Sequence, residues 1–144
     1  MRDYRKKHPD APLLVVETGN TLSRSADLAD PRNRWMVEAL NEFGTHAVNT
    51  TTEDLRRLNR LAETGRLPKE VRGQYLATIL GTSPLGLFPV KPYAIETLRR
   101  GPSAEEIRVG ILAVSPPDAG SGTLGKLLDP DEAIRQFLPE VESR

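Results

Sequence analysis

The sequence predicts an α/β protein built as a layered sheet with mostly parallel strands and flanking helices. Short apolar runs rich in β-branched residues alternate along the chain with segments whose apolar residues recur at helical spacing. The joints between them carry the glycines, prolines and hydroxyl or carboxylate caps that end one element and begin the next. A length of 144 residues with 38% hydrophobic side chains suits one domain. Residues 1–11 read as a polar leader and residues 12–144 as that single domain.

Leu13-Leu14-Val15-Val16 is short, apolar and preceded by Pro12, and reads as a buried strand. Glu17 to Arg32 has no periodicity and reads as a long loop at the strand end, where chemistry is often placed. From Asn33 the apolar positions Met36, Leu40 and Phe43, with Trp35, Val37 and Ala39 beside them, give a helix with one apolar face that stops at Gly44. Ala47-Val48-Asn49 is a brief strand. Thr50 to Thr52 supply N-cap hydroxyls for a second helix, with Glu53 and Asp54 in its first turn, where the helix dipole favours acids. Its inner stripe is Leu55, Leu58, Leu61 and Ala62, and Arg56, Arg57 and Arg60 form the solvated one. Tyr75 to Leu80 reads as a strand, and the proline-rich Gly81 to Pro92 as a connector. Tyr93 to Thr97 alternates weakly, and Ile107 to Val114, the most strand-like run, is expected to be central. Ser115 to Lys126 reads as a loop. A last helix begins at Asp129-Pro130, with Ala133, Ile134, Phe137 and Leu138 on its buried side.

Composition removes several classes of function. Twenty Lys and Arg balance twenty Asp and Glu, so charge alone gathers neither nucleic acid nor anionic lipid. Cysteine is absent, which removes disulfides, thiolate nucleophiles and sulfur-ligated metals. No apolar run approaches the roughly 18 residues of a membrane span, and no signal-peptide pattern opens the chain. Gly120-Ser121-Gly122-Thr123-Leu124-Gly125-Lys126 has the glycine spacing of a phosphate loop, so nucleotide binding there is one reading. Pro116 and Pro117 cut it off from its strand, however, and Leu127 stands where Ser or Thr would hold magnesium, so it reads as a linker. The two histidines, His8 and His46, fall in the leader and between a helix and a strand. No nucleophile elbow and no paired-histidine motif accompanies them. Glu17, Asn20, Glu53 and Asp54 all fall at strand ends, and their oxygens could take Mg or Mn. The simpler reading of Glu53 and Asp54 is helix capping.

The order of pieces carries more information than any one of them. Leu13 to Leu22 with its Glu-Thr-Gly-Asn, then Asn33 to Phe43 with Met-Val-Glu-Ala-Leu-Asn, then Gly44 to Leu55, resembles the calcineurin-like metallophosphoesterases of the 5'-nucleotidase type. Tyr75 to Thr78, Val90 to Ile95, Ile107 to Leu112 and Asp129 to Ala133 look like that family's next strands and helix, so the likeness spans about residues 10–142. The resemblance implies a partial metallophosphoesterase-like layered sheet holding the middle of the usual domain. The family's metal-bridging aspartate falls on Asn20, and its Asn-His pair falls on Thr52 and Glu53, so those three mark degenerate site positions. A neutral amide at Asn20 cannot supply the bridging charge of a two-metal centre. The expectation is a catalytically inactive module with no cofactor, acting as a binding or structural subunit whose exposed sheet edges another protein chain covers. The alternative is a divergent Mn- or Mg-dependent phosphoester hydrolase whose missing ligands come from elsewhere. The resemblance also implies an extracytoplasmic, periplasmic setting.

Overall fold

The computed structural model describes residues 2–80, 86–99, 106–116 and 127–144. The elements run α1 (Arg2–Lys7), β1 (Val16–Glu17), α2 (Pro31–Phe43), β2 (Ala47–Asn49), α3 (Thr52–Glu63), β3 (Gln74–Leu76), a 3-10 turn (Thr78–Leu80), β4 (Tyr93–Arg99), β5 (Glu106–Leu112) and α4 (Pro130–Glu142). β1, β2 and β3 form a parallel sheet in sequence order, with Val16 beside Ala47 and Val48 beside Tyr75. Lys91 extends the sheet past β3 by a single parallel bridge to Leu76. β4 and β5 make a separate antiparallel hairpin running from Tyr93 opposite Leu112 to Arg99 opposite Glu106.

The three long helices begin and end where capping chemistry places them. Asp30 caps α2 by accepting the Arg32 N–H with Pro31 in the first turn, and Gly44 closes it in the left-handed conformation. Thr51 and Asp54 form a reciprocal capping box on α3, and Asp129 caps α4 ahead of Pro130. Successive sheet residues face opposite sides, and the core divides accordingly. Val48 and Tyr75 join Val37 and Leu40 of α2 and Leu55 and Leu58 of α3 in the larger cluster. Ala47 and Leu76 face Ala94, Ala113 and Ile111 of the hairpin layer. Burying leucines such as Leu55, Leu58 and Leu61 of α3 contributes about 1.5–3 kcal/mol each.

Several elements differ from the sequence expectation. The leader contains a helical turn, α1. β1 is only two residues long and half-exposed at Val16, because it is a sheet edge with β2 on one side alone. The run 75–80 splits into β3 and a 3-10 turn. β5 is not central: it pairs with the preceding β4 as a hairpin, since a parallel pairing needs a crossover of a dozen or more residues. On α4 only Ala133 and Phe137 are buried, while Ile134 and Leu138 reach solvent. On α2 the buried residues are Asn33, Val37 and Leu40, and Trp35, Met36 and Phe43 are exposed. Gly110 on β5 is a close-approach position, where an added Cβ would lie 2.1 Å from the Val141 Cγ1 of α4.

Thr78 joins the layers. It is fully buried, its hydroxyl donates to the Pro92 carbonyl at 2.6 Å and accepts from the Ala113 N–H at 2.8 Å, and its own N–H donates to the Ala113 carbonyl. Thr78→Val keeps the shape and deletes both hydroxyl bonds, leaving a buried N–H and a carbonyl without partners. The expected loss is about 2 kcal/mol of unfolding free energy, read from urea midpoints.

Candidate functional site

The carboxyl ends of β1 and β2 lie side by side, the location where open parallel sheets present ligands. Glu17, Gly19 and Asn20 leave β1, and Thr50 to Asp54 leave β2 and enter α3. Gly19 and Asn20 both have positive φ, 102° and 57°, so the backbone reverses tightly here. At Gly19 there is no room for a side chain: a Cβ would sit 3.1 Å from the Asn49 carbonyl oxygen and 3.3 Å from Thr51 Cγ2. Asn49 donates its side-chain amide to the Thr18 carbonyl at 3.0 Å and locks the reversal from the β2 side.

Asp54 is the centre of this arrangement. It is buried, and its carboxylate accepts the N–H of Asn20 at 3.0 Å on Oδ2, the N–H of Leu22 at 3.3 Å on Oδ1, and the Thr51 hydroxyl at 2.8 Å on Oδ2. The capping role read from the sequence holds, and the same carboxylate also gathers the loop that follows β1. Glu53, one residue earlier, points elsewhere and pairs with Arg57 at 2.5 Å and Arg56 at 3.4 Å. Glu17 accepts the Gly19 N–H at 3.2 Å. Asn20 is exposed and meets Asp54 through its main chain. Thr52 is buried in the first turn of α3. Among the described residues, no three His, Asp or Glu side chains converge as a metal ion requires. The described residues do not fit a two-cation centre, because no three such ligands converge among them, the Glu53 charge is matched by arginine and Asn20 meets Asp54 through its main chain.

The loop 18–30 is tied to α3 and to the residues just after it at further points that local spacing does not reveal. Arg57, assigned to the solvated stripe by periodicity, is buried at 4% exposure and donates to the Ser25 carbonyl at 2.8 Å as well as pairing with Glu53. Arg66 donates to the Ala29 carbonyl at 3.1 Å. From the α2 side, Asn33 accepts the Ser23 N–H at 2.7 Å and Asp30 accepts the Ser23 hydroxyl at 3.1 Å. The Arg32 guanidinium beside Asp30, aided by the Arg32 N–H, holds the Asp30 carboxyl well below the usual carboxylate range. The only sequence signal for this role was an arginine three residues beyond Asp54, on the edge of the leucine stripe.

His46 caps the start of the sheet: its Nδ1 accepts the Val15 N–H at 3.2 Å and its main-chain N–H donates to the Val15 carbonyl. His8 stacks on Tyr4 in the leader. The Gly120 to Lys126 loop lies outside the described residues. Asp54 lines a small cavity together with Thr21, Thr50, Leu58 and Tyr75. Burial, with the Asp54 charge as a smaller influence, pushes the Tyr75 hydroxyl up to about 12. On the hairpin side of the same strand ends, a pocket of about 310 Å³ is lined by Glu17, Thr18 and Asn49 and by apolar residues including Leu76, Ile111 and Val114. No helix among the described residues is long and apolar enough to cross a membrane. Compared with known proteins, the chain matches no family model, no curated protein and no solved structure.

Proposed function

We propose that this chain is a non-catalytic, metallophosphoesterase-like module that acts as a binding or structural subunit of a larger assembly. The observation that carries the reading is the commitment of the strand-end carboxylates. Asp54 spends both oxygens on main-chain and hydroxyl donors, and Glu53 is held by two arginines. A cation drawn to this end of the sheet would compete with the N–H groups of Asn20 and Leu22 for the Asp54 carboxylate and with two arginines for Glu53, and Asn20 brings no further charge. The site residues serve the scaffold, and the half-exposed β1 edge supports a role in which another chain completes it.

Titration with Mn²⁺ and Mg²⁺, followed by calorimetry and by thermal midpoint, tests this directly. Neither ion is expected to release heat or raise the midpoint, and an aryl phosphate is expected to remain intact with either present. Metal-dependent turnover lost in Glu53→Gln would overturn the reading in favour of a divergent phosphoester hydrolase using Mn or Mg.

A further inference from the structure

His46 holds Val15 at both of its main-chain polar groups. Its Nδ1 accepts the Val15 N–H at 3.2 Å, and its own N–H donates to the Val15 carbonyl at 2.9 Å. Its carbonyl accepts the Gln74 N–H at 2.8 Å, so the residue ties the entry of β1 to backbone already fixed against β3. Beyond Val15 the β1 ladder is two residues long, with Val16 beside Ala47 and Glu17 beside Val48. The imidazole bond is therefore a large share of what attaches β1 to the β2 edge.

An imidazole accepts at Nδ1 only while it is neutral, with its proton on Nε2. A proton taken from water at Nδ1 makes both ring nitrogens donors, and the Val15 N–H then faces another N–H. His46 is half-buried, so this exchange with water needs no unfolding. The charged groups on the surrounding elements do not replace the lost partner. Glu17 of β1 accepts the Gly19 N–H, Arg72 ahead of β3 pairs with Glu70 and feels Glu42 of α2, and Glu96 of β4 accepts from Gln74. Among the described residues no carboxylate forms an ion pair with His46. Histidine changes charge between about pH 5 and 8, whereas carboxylates near their ordinary value of about 4 stay ionised down to about pH 5.5. The side chains that titrate in that window are the two histidines, and His8 lies apart, stacked on Tyr4.

We propose that His46 is an acid-sensitive latch, which holds Val15 while neutral and releases β1 from the β2 edge when protonated. Its release bares a strand edge on which another chain can pair. The latch uses none of the strand-end carboxylates, so it stands or falls apart from the non-catalytic reading.

Amide hydrogen exchange of the full chain, followed by NMR and expressed as protection factors so that the intrinsic pH dependence cancels, tests the latch. From about pH 7.5 to about pH 5.5, protection at Val15, His46 and Ala47 is expected to fall about three- to tenfold, as the loss of one hydrogen bond implies. Asn20 and Leu22, held by Asp54, are expected to keep theirs. His46→Asn sets an oxygen acceptor that does not titrate at the position of Nδ1 and is expected to abolish the pH response. His46→Phe has no acceptor there and is expected to show low protection at both pH values, while His8→Gln is expected to respond as the parent does. The imidazole carbon shifts of His46 in the same samples show whether protonation accompanies the fall. Protection at Val15 that is unchanged or absent at both pH values overturns the proposal. A fall of equal size in His46→Asn, or one that occurs while the His46 ring stays neutral, overturns it as well.

Discussion

Asp54→Ala is expected to destabilise the protein by about 3 kcal/mol, well beyond the loss of an ordinary helix cap. A capping residue alone is worth about 1 kcal/mol, and Thr51→Ala sets that baseline on the same helix. Asp54 additionally accepts N–H groups from Asn20 and Leu22, and hydrogen bonds to a charged group contribute about 1.5–3 kcal/mol each before the relaxation that follows their loss. Leu22 is itself buried, so its N–H would be left without water to replace the carboxylate. Asp54→Asn retains one acceptor oxygen and is expected to recover about half of the loss. Urea unfolding measures the three variants, and amide hydrogen exchange adds the spatial readout: Asn20 and Leu22 are to lose protection in Asp54→Ala but keep it in Thr51→Ala. An Asp54→Ala variant within about 0.5 kcal/mol of the parent would mean that the loop does not depend on this carboxylate.

Phe137→Ala is expected to cost about 3–4 kcal/mol, against less than about 1 kcal/mol for Leu138→Ala on the neighbouring face of α4. Phe137 is 1% exposed, and its ring lies 6.2 Å from that of Tyr93, so truncation removes both transfer energy and an aromatic contact and leaves a void. The site borders an open groove of about 500 Å³ lined by Tyr93, Glu140 and Arg144, so part of that void can fill with water, which sets the estimate near the lower end for a buried phenylalanine. Leu138 is half in solvent already. The pair of midpoints measures which face of α4 meets the protein. Equal losses at the two positions would reject the observed helix orientation.

That contrast marks what periodicity could and could not supply. Helix positions were legible because local chemistry writes them: Gly44 ends α2, Thr51 with Asp54 starts α3 and Asp129 with Pro130 starts α4, in helices whose apolar residues recur every three or four positions, whereas the start of α2 at Asp30–Pro31 was read as loop and lies two residues before the expected Asn33. The alternation of strands and helices likewise led to a parallel sheet, because β1, β2 and β3 are joined by long helical crossovers. Which arc of a helix is buried was less legible on α2, where apolar residues wrap more than half the circumference and Asn33 is buried to hold Ser23. At the strand ends the positions of Glu17, Asn20, Glu53 and Asp54 were legible, but not what their side chains and main chains contact. Asp54 announced itself as a cap, but its bonds to Asn20 and Leu22 span 34 and 32 residues, and the Arg57 bond to Ser25 spans 32. Distances of that kind leave no trace in spacing, and an arginine beside a leucine stripe looks the same whether its guanidinium meets water or a carbonyl.

The loop after β1 is tethered to α3 by Asp54 and Arg57 and to the segment just after α3 by Arg66, whereas β1 itself is joined to the sheet by a two-residue ladder and the flanking bonds of Val15 and His46. The two attachments differ in the bonds that hold them, so amide exchange is expected to be faster at Val16 and Ala47 than at Asn20 and Leu22. The amino-terminal stretch can peel from the sheet and expose the β2 edge while the reversal at Gly19 and Asn20 stays folded against α3. Partial opening of this sort proceeds at far lower free energy than global unfolding. If that exchange pattern is found, residues 2–17 behave as a strap that lifts from a body held together by α2, α3 and the loop between β1 and α2.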